Sequence, residues 1–415
     1  MTGSTSQDDR TFLIVGASLA GAKAAETLRE EGFAGRVVLI GEEPEPPYER
    51  PPLSKGYLLG SEERDKAFVH DRAWYDKQNI ELRTGVRVEA LEPAAHAVTV
   101  ATGDRLTYDK LLLTTGSVVR QLAVPGAELE GVHYLRRIEH SDTLRGVLVE
   151  GARVVVVGGG WIGLEVAAAA RTHGAAVTLI EVDTLPLRRV LGDELAQVFA
   201  DLHAEHGVDL RLGTGVREIV GTGGRVVSVT LDDGSSVPAD AVVVGIGITP
   251  AVELAQAAGL AVDNGVLVDA ALRTSDPDVY AAGDVANAEN PLLNTRIRVE
   301  HWSNALNGGP AAARSMLGQD VVYDRVPYFF TDQYDLGMEY SGHAEPGSYD
   351  QVVFRGDVAG REFIAFWLAG GRVLAGMNVN VWDVTDAIQA LVRSRRPVDI
   401  AQLSDPDVPL ADVAR

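Results

Sequence analysis

Thr11-Phe-Leu-Ile-Val-Gly-Ala-Ser-Leu-Ala-Gly21 and Arg153-Val-Val-Val-Val-Gly-Gly-Gly-Trp-Ile-Gly163 are two copies of one pattern. Each is a β-branched apolar run, then a glycine-rich turn, then an alanine-rich stretch of helical character. An uninterrupted apolar run of this length reads as a parallel strand covered on both faces. In the first copy Thr11 to Val15 is the strand, Ala20 to Gly32 the helix and Val37 to Ile40 the next strand. In the second, Val154 to Val157 is the strand, Ile162 to Thr172 the helix and Ala176 to Ile180 the next strand. Strand, glycine turn, helix, strand is the order of a dinucleotide-binding unit, here made twice.

Working outward, the runs at Leu111 to Gly116, Ala241 to Gly247 and Val279 to Asp284 each end in a turn, as strands that deliver a loop to a ligand do. From about Val321 the pattern changes to aromatic-rich alternation, in Pro327-Tyr-Phe-Phe330, Val352-Val-Phe354 and Phe363-Ile-Ala-Phe-Trp367, which predicts an antiparallel sheet. The fold class expected is α/β, two Rossmann-like dinucleotide-binding domains plus a C-terminal α+β domain with an antiparallel sheet.

Composition narrows the chemistry. The 415 residues include no cysteine, which removes thiol nucleophiles, redox dithiols and cysteine-ligated zinc or iron-sulfur centres. Redox work must therefore sit on a bound cofactor, and no metal site is expected. The formal charge of −22 argues against general affinity for nucleic acid or an anionic membrane. The opening Met1 to Arg10 is polar and no later stretch gives about 18 unbroken apolar residues. A cytoplasmic location follows by default.

In the first glycine motif, Gly16, Gly21 and the helix N-terminus suit a pyrophosphate, with Ser18 standing where a middle glycine is usual. Glu42, after the second strand, is placed to accept hydrogen bonds from ribose hydroxyls. The second motif is complete at Gly158, Gly160 and Gly163, and Glu181 closes its second strand. A carboxylate there favours a free 2'-hydroxyl, hence NADH over NADPH. Arg188 and Arg189 read either as partners for a 2'-phosphate or as a solvated loop.

Pro47-Tyr-Glu-Arg-Pro-Pro-Leu-Ser-Lys55, taken with both motifs, makes the chain resemble the bacterial FAD-dependent NADH:ferredoxin reductase family, which includes putidaredoxin, rubredoxin and dioxygenase ferredoxin reductases. Ile162-Gly-Leu-Glu165, Gly245-Ile-Gly247, Ala282-Gly-Asp-Val285, Val299-Glu-His-Trp302, Asn304-Ala-Leu306 and Thr331-Asp-Gln-Tyr-Asp335 occur in the family's order, so the likeness covers nearly the whole chain. It implies an FAD-binding domain at 1–116 and 247–322, an NAD-binding domain at 117–246, and a C-terminal domain at 323–415 near the flavin. FAD contacts are implied at Gly16, Ser18, Ala20, Gly21, Glu42, Arg50, Pro52, Lys55, Val88, Thr115, Gly116, Arg136, Gly283, Asp284 and Trp302. For the nicotinamide coenzyme they are implied at Gly158, Gly160, Ile162, Gly163, Glu165, Glu181, Gly245, Ile246 and Gly247. Without the likeness, Val88 reads as a plain strand residue, Arg136 as a surface cation and Trp302 as an interface aromatic.

Lys55 and Glu165 are the candidate catalytic pair. By resemblance, Lys55 supports the reduced flavin and Glu165 accepts a hydrogen bond from the nicotinamide amide. Their plainer readings are a solvent-facing loop charge and a first-turn acid complementing a helix dipole. NADH releases two electrons as hydride while a 2Fe-2S centre accepts one, so FAD is the intermediate required. The resemblance implies a 2Fe-2S ferredoxin as partner and, through it, a haem monooxygenase or Rieske oxygenase. Family members often carry tryptophan ahead of Thr331-Asp-Gln, where this chain has Tyr328, Phe329 and Phe330. Docking an acidic ferredoxin on an acidic chain needs a basic patch. Arg72, Arg296, Arg298, Arg314 and the Arg393 to Arg396 stretch are candidates, with ordinary solvated charge as the alternative.

Three other readings compete. A disulfide reductase, oxidase or peroxidase needs cysteines that are absent. A reductase of a small acceptor, like the monodehydroascorbate reductases, shares much of the motif set. A flavoprotein like apoptosis-inducing factor would need the positive surface that this composition lacks.

Overall fold

The computed structural model describes residues 8–413. Residues 1–7 of the polar opening and 414–415 of the expected C-terminal domain lie outside the described residues. The chain divides into two compact units. One holds residues 1–49, 65–118 and 249–327, the other 50–64, 119–248 and 328–415.

The first unit is built on a five-stranded sheet in the order Val279–Ala281, Lys110–Leu113, Thr11–Val15, Arg36–Ile40, Ile80–Arg83, every neighbour parallel. Phe12, Leu13 and Ile14 on the central strand are 0% exposed. Burial of that kind stabilises the unit by roughly 2 kcal/mol for each such side chain and explains why the run shows no polar alternation. The helix Leu19–Glu30 follows the glycine turn, starting one residue before the expected Ala20. Two three-stranded sheets complete the unit, one of them antiparallel and opening at Val88.

The second unit repeats the design. Its parallel sheet runs Asp209–Leu212, Ala176–Glu181, Arg153–Val157, Ala241–Val244, Val132–Tyr134. The central strand again feeds a glycine turn and a helix, Trp161–Thr172. In both sheets the central strand has its own βαβ partner on one side and a later strand on the other. The outermost strand comes from different places in the chain, after that neighbour in the first sheet and before it in the second.

The same unit holds the expected antiparallel sheet, five strands in the order Tyr328–Gln333, Leu336–Gly342, Arg372–Val379, Glu362–Ala369, Gln351–Asp357. Its aromatic residues are core, with Phe363, Phe366 and Trp367 all 0% exposed, but their strand is buried at every position from Phe363 to Leu368, on both faces, and does not alternate between core and solvent. Among the described residues no helix is long and apolar enough to cross a membrane. None of their His, Asp and Glu side chains form a group of three or more able to hold a metal ion.

Candidate functional site

Each parallel sheet ends in a backbone cradle at its glycine turn. The Gly16 amide donates to the Ile40 carbonyl at 2.7 Å, and Gly16 takes φ +119° with the Thr114 carbonyl where a Cβ would project. The second turn does the same. Gly158 donates to Ile180 O at 2.8 Å, takes φ +104° and faces the Gly245 carbonyl. A side chain at either position meets both left-handed strain and a backbone collision. Each turn therefore carries the backbone, bare of a side chain at its first glycine, straight into the start of a helix, the arrangement a pyrophosphate can approach. Ser18 is tolerated because its own backbone is extended, φ −124° and ψ −167°. Gly160 holds the equivalent cap position at φ −80°.

Glu181 closes the second strand as expected, and its carboxylate is anchored. Oε2 accepts from the Gly159 amide at 2.6 Å and Oε1 from the Asp183 amide at 2.8 Å. The two neighbouring arginines are engaged by acids, Arg189 with Asp183 at 2.6 Å and Arg188 with Asp193. Glu42 lies just past its strand and is exposed.

Lys55 and Glu165 meet within the second unit. Lys55 Nζ donates to Glu165 Oε1 at 2.7 Å, with the two side chains 15% and 3% exposed. Glu165 is the fifth residue of its helix and is buried, so neither the solvent-facing reading of Lys55 nor the helix-dipole reading of Glu165 describes what is found. Among the described residues, Glu165 also accepts from Ser54 Oγ on Oε2 and from Thr331 Oγ1 on Oε1 at 2.6 Å. The Lys55 ammonium sits 5.3 Å from the centre of the Phe330 ring. A cation, two hydroxyls and a buried carboxylate thus form one charge-compensated cluster.

The other expected residues are placed as follows. In the first unit Thr115 Oγ1 donates to Ala251 O at 2.8 Å, Asp284 lies in the short helix Gly283–Val285, and Val88 begins its strand. Trp302 opens the helix Trp302–Met316, its Nε1 donating to Glu49 at 3.0 Å. Burial outweighs that bond and raises the Glu49 pKa. In the second unit the Arg50 guanidinium donates to the Arg136 carbonyl, beside Pro52 in the helix Pro51–Ser54. Gly245, Ile246 and Gly247 follow the strand Ala241–Val244. Of the basic candidates, Arg72 donates to Thr84 at 2.7 Å, Arg296 pairs with Glu289 at 2.9 Å and Arg314 with Glu31 at 2.7 Å. Arg298 pairs with Glu300. The family's tryptophan segment here presents Tyr328, whose hydroxyl donates to Glu339 at 2.6 Å.

Four polar residues of this region carried no assigned role in the sequence reading: Ser54, Thr331, Gln333 and His203. Ser54, Thr331 and Gln333 stand inside the motif strings, which is the one signal that pointed toward them. Nothing local marks His203, an unremarkable position in an amphipathic helix.

Two family models account for most of the chain: pyridine nucleotide-disulphide oxidoreductase over residues 10–309 and reductase C-terminal over residues 328–414. The chain belongs to the pyridine nucleotide-disulphide oxidoreductase family, and membership implies FAD and a pyridine nucleotide, which the two cradles fit. It is 44% identical over 400 residues to the ferredoxin--NAD(+) reductase component of an anthranilate 1,2-dioxygenase system from Burkholderia cepacia, spanning 96% of this chain and 98% of that one. To the putidaredoxin reductase of Pseudomonas putida it is 37% identical, spanning 97% and 96%. Among solved structures, the covalent putidaredoxin reductase-putidaredoxin complex superposes with a TM-score of 0.93 at 36% identity, over 97% of both chains.

Proposed function

We propose that the protein is an NADH-dependent ferredoxin reductase, delivering electrons from NADH by way of FAD to a 2Fe-2S ferredoxin that serves a haem monooxygenase or a Rieske oxygenase. The observation that carries this reading is a chain with two dinucleotide cradles and no cysteine anywhere in its sequence. With no dithiol to receive them, electrons leave for an acceptor outside the chain. When bound, FAD supplies the exchange between a two-electron donor and a one-electron acceptor.

The chain's own residues bind, orient and compensate charge. Gly16, Ser18, Ala20 and Gly21 present the first cradle to the FAD pyrophosphate, with Glu42 taking ribose hydroxyls. Gly158, Gly160, Ile162 and Gly163 do this for NADH. Glu181, fixed by two amides, keeps lone pairs for the adenosine ribose, since a carboxylate has about four acceptor sites. NADH is preferred to NADPH because a 2'-phosphate would face Glu181 and Asp183, while Arg188 and Arg189 are already committed to acids. Lys55 holds positive charge beside Glu165, and Glu165 accepts the nicotinamide carboxamide and so sets the angle of the donor ring. The remaining assignments, Arg50, Pro52, Val88, Thr115, Gly116, Arg136, Gly283, Asp284 and Trp302 for FAD and Gly245, Ile246 and Gly247 for NADH, complete the proposal. So does the three-domain division at 1–116 with 247–322, 117–246 and 323–415, for which the support is an antiparallel sheet that begins at Tyr328.

Anaerobic mixing of the FAD-loaded protein with NADH and a 2Fe-2S ferredoxin tests the reading. Flavin bleaching followed by loss of the oxidised iron-sulfur absorbance is expected. Bleaching with several ferredoxins left oxidised would shift the acceptor to a small molecule, as in the monodehydroascorbate reductases.

A further inference from the structure

The Glu165 cluster is one end of a longer buried chain, all of it in the second unit. The strand Tyr328–Gln333 alternates, so Thr331 and Gln333 share its inner face at 1% exposure each. His203, 0% exposed, reaches them from the helix Asp193–Glu205. Gln333 Nε2 donates to Thr331 Oγ1 at 3.1 Å, His203 Nε2 lies 2.9 Å from Gln333 Oε1, and the Tyr334 hydroxyl lies 3.4 Å from His203 Nδ1. Tyr334 occupies a left-handed position, φ +57°, in the two-residue turn between paired Gln333 and Leu336. It stacks on His206 with ring centres 3.7 Å apart.

One charge orders every proton along this chain. Lys55 can only donate to Glu165, and the carboxylate can only accept, so the single Thr331 hydroxyl proton points at Glu165. Thr331 then has lone pairs alone to offer Gln333, which must present its NH2 group. The Gln333 carbonyl consequently faces His203, whose Nε2 must carry the proton, leaving Nδ1 to accept from Tyr334. Burial holds the His203 pKa at about 4, so the imidazole stays neutral at ordinary pH and the order does not change. A primary amide does not pass protons onward readily, so the chain orients rather than conducts.

We propose that Thr331, Gln333 and His203 are positioning residues for the hydride-donor site, a one-directional hydrogen-bond chain that holds the Glu165 carboxylate in the orientation that receives the nicotinamide carboxamide. This rests on the reductase reading above. Ser54, Lys55 and Thr331 occupy three of the roughly four acceptor sites of Glu165, which leaves one for a ligand N–H and makes its direction depend on the other three. Aligned hydrogen bonds polarise one another, so a change at Thr331 is felt at His203.

The test uses the FAD-loaded protein. With nitrogen-15 histidine label, His203 should give a slowly exchanging Nε2–H signal, and an Nδ1–H tautomer in the unaltered protein would overturn the proposal whatever the variants do. Thr331→Val should shift that signal, weaken calorimetric binding of NAD+ by about 10-fold and slow flavin reduction at saturating NADH by about 10-fold. Thr331→Ser, which keeps the hydroxyl, should restore both to within about 3-fold. Thr331→Val with unchanged NAD+ affinity and reduction rate removes the positioning role and leaves the reductase reading intact. If the unaltered protein is not reduced by NADH at all, both fall together.

Discussion

The two glycine turns share a strand order, a left-handed first glycine and a following helix, yet they treat their acids differently. Glu42 lies exposed, two residues beyond the end of its strand, while Glu181 is the last residue of its strand and accepts from the amides of Gly159 and Asp183. Because a preorganised group spends less ordering entropy on each binding event, a clamped acid suits a ligand that arrives and leaves on every turnover. On the proposed reading the first turn serves a resident nucleotide and the second a visiting one.

The most disruptive way to separate them is at the glycines. Gly16→Ala should yield protein largely free of FAD, read as lost absorbance near 450 nm. Gly158→Ala should keep its flavin but raise the KM for NADH on the order of 100-fold, since strain and collision together cost a few kcal/mol. Equal loss of flavin in both would dissolve the distinction. Next in size is Glu181→Ala, where loss of charged hydrogen bonds should raise the KM for NADH about 10-fold or more and narrow the gap to NADPH. Glu42→Ala, by contrast, should leave the coenzyme ratio unchanged.

Acid exposes the second unit next. Burial holds His203 at a folded pKa of about 4 against the ordinary histidine value of 6.5, so the unfolded chain binds a proton that the native one refuses between those values. Stability is therefore whole above about pH 6.5, declines as pH falls towards 4 and loses no more from this group below that, at most about 3 kcal/mol. Urea midpoints at pH 7 and pH 5 would show it, and a His203→Gln variant should flatten that part of the slope. The smallest effect should be Ser18→Gly. Its extended backbone needs no glycine, so FAD affinity should stay within about 3-fold while stability drops by about 0.5 kcal/mol through the freer unfolded chain.

The parallel strands could be read directly, because a run such as Thr11 to Val15 that is buried on both faces must be apolar at every position. The helices were set to within a residue or two by alanine content and glycine stops. Lys55 and Glu165 were reachable through the motifs that contain them. Their partners were harder, because Ser54, His203 and the Thr331–Gln333 pair lie on three elements far apart in the chain, and no local periodicity registers a hydrogen bond across such a distance. The helix Asp193–Glu205 announces a buried face, but an imidazole there looks like any other half-apolar side chain.

By itself the sequence determined the duplicated cradle, the aromatic sheet and the reliance on a bound cofactor, because periodicity, backbone freedom and the presence of a residue type are local properties. The tertiary structure alone decided that Lys55 and Glu165 are a buried pair rather than two surface charges. It alone set the direction of the protons running from Tyr334 to Glu165. Those depend on which donors and acceptors are enclosed together away from water, where each must find its complement, and enclosure is a property of the packed chain.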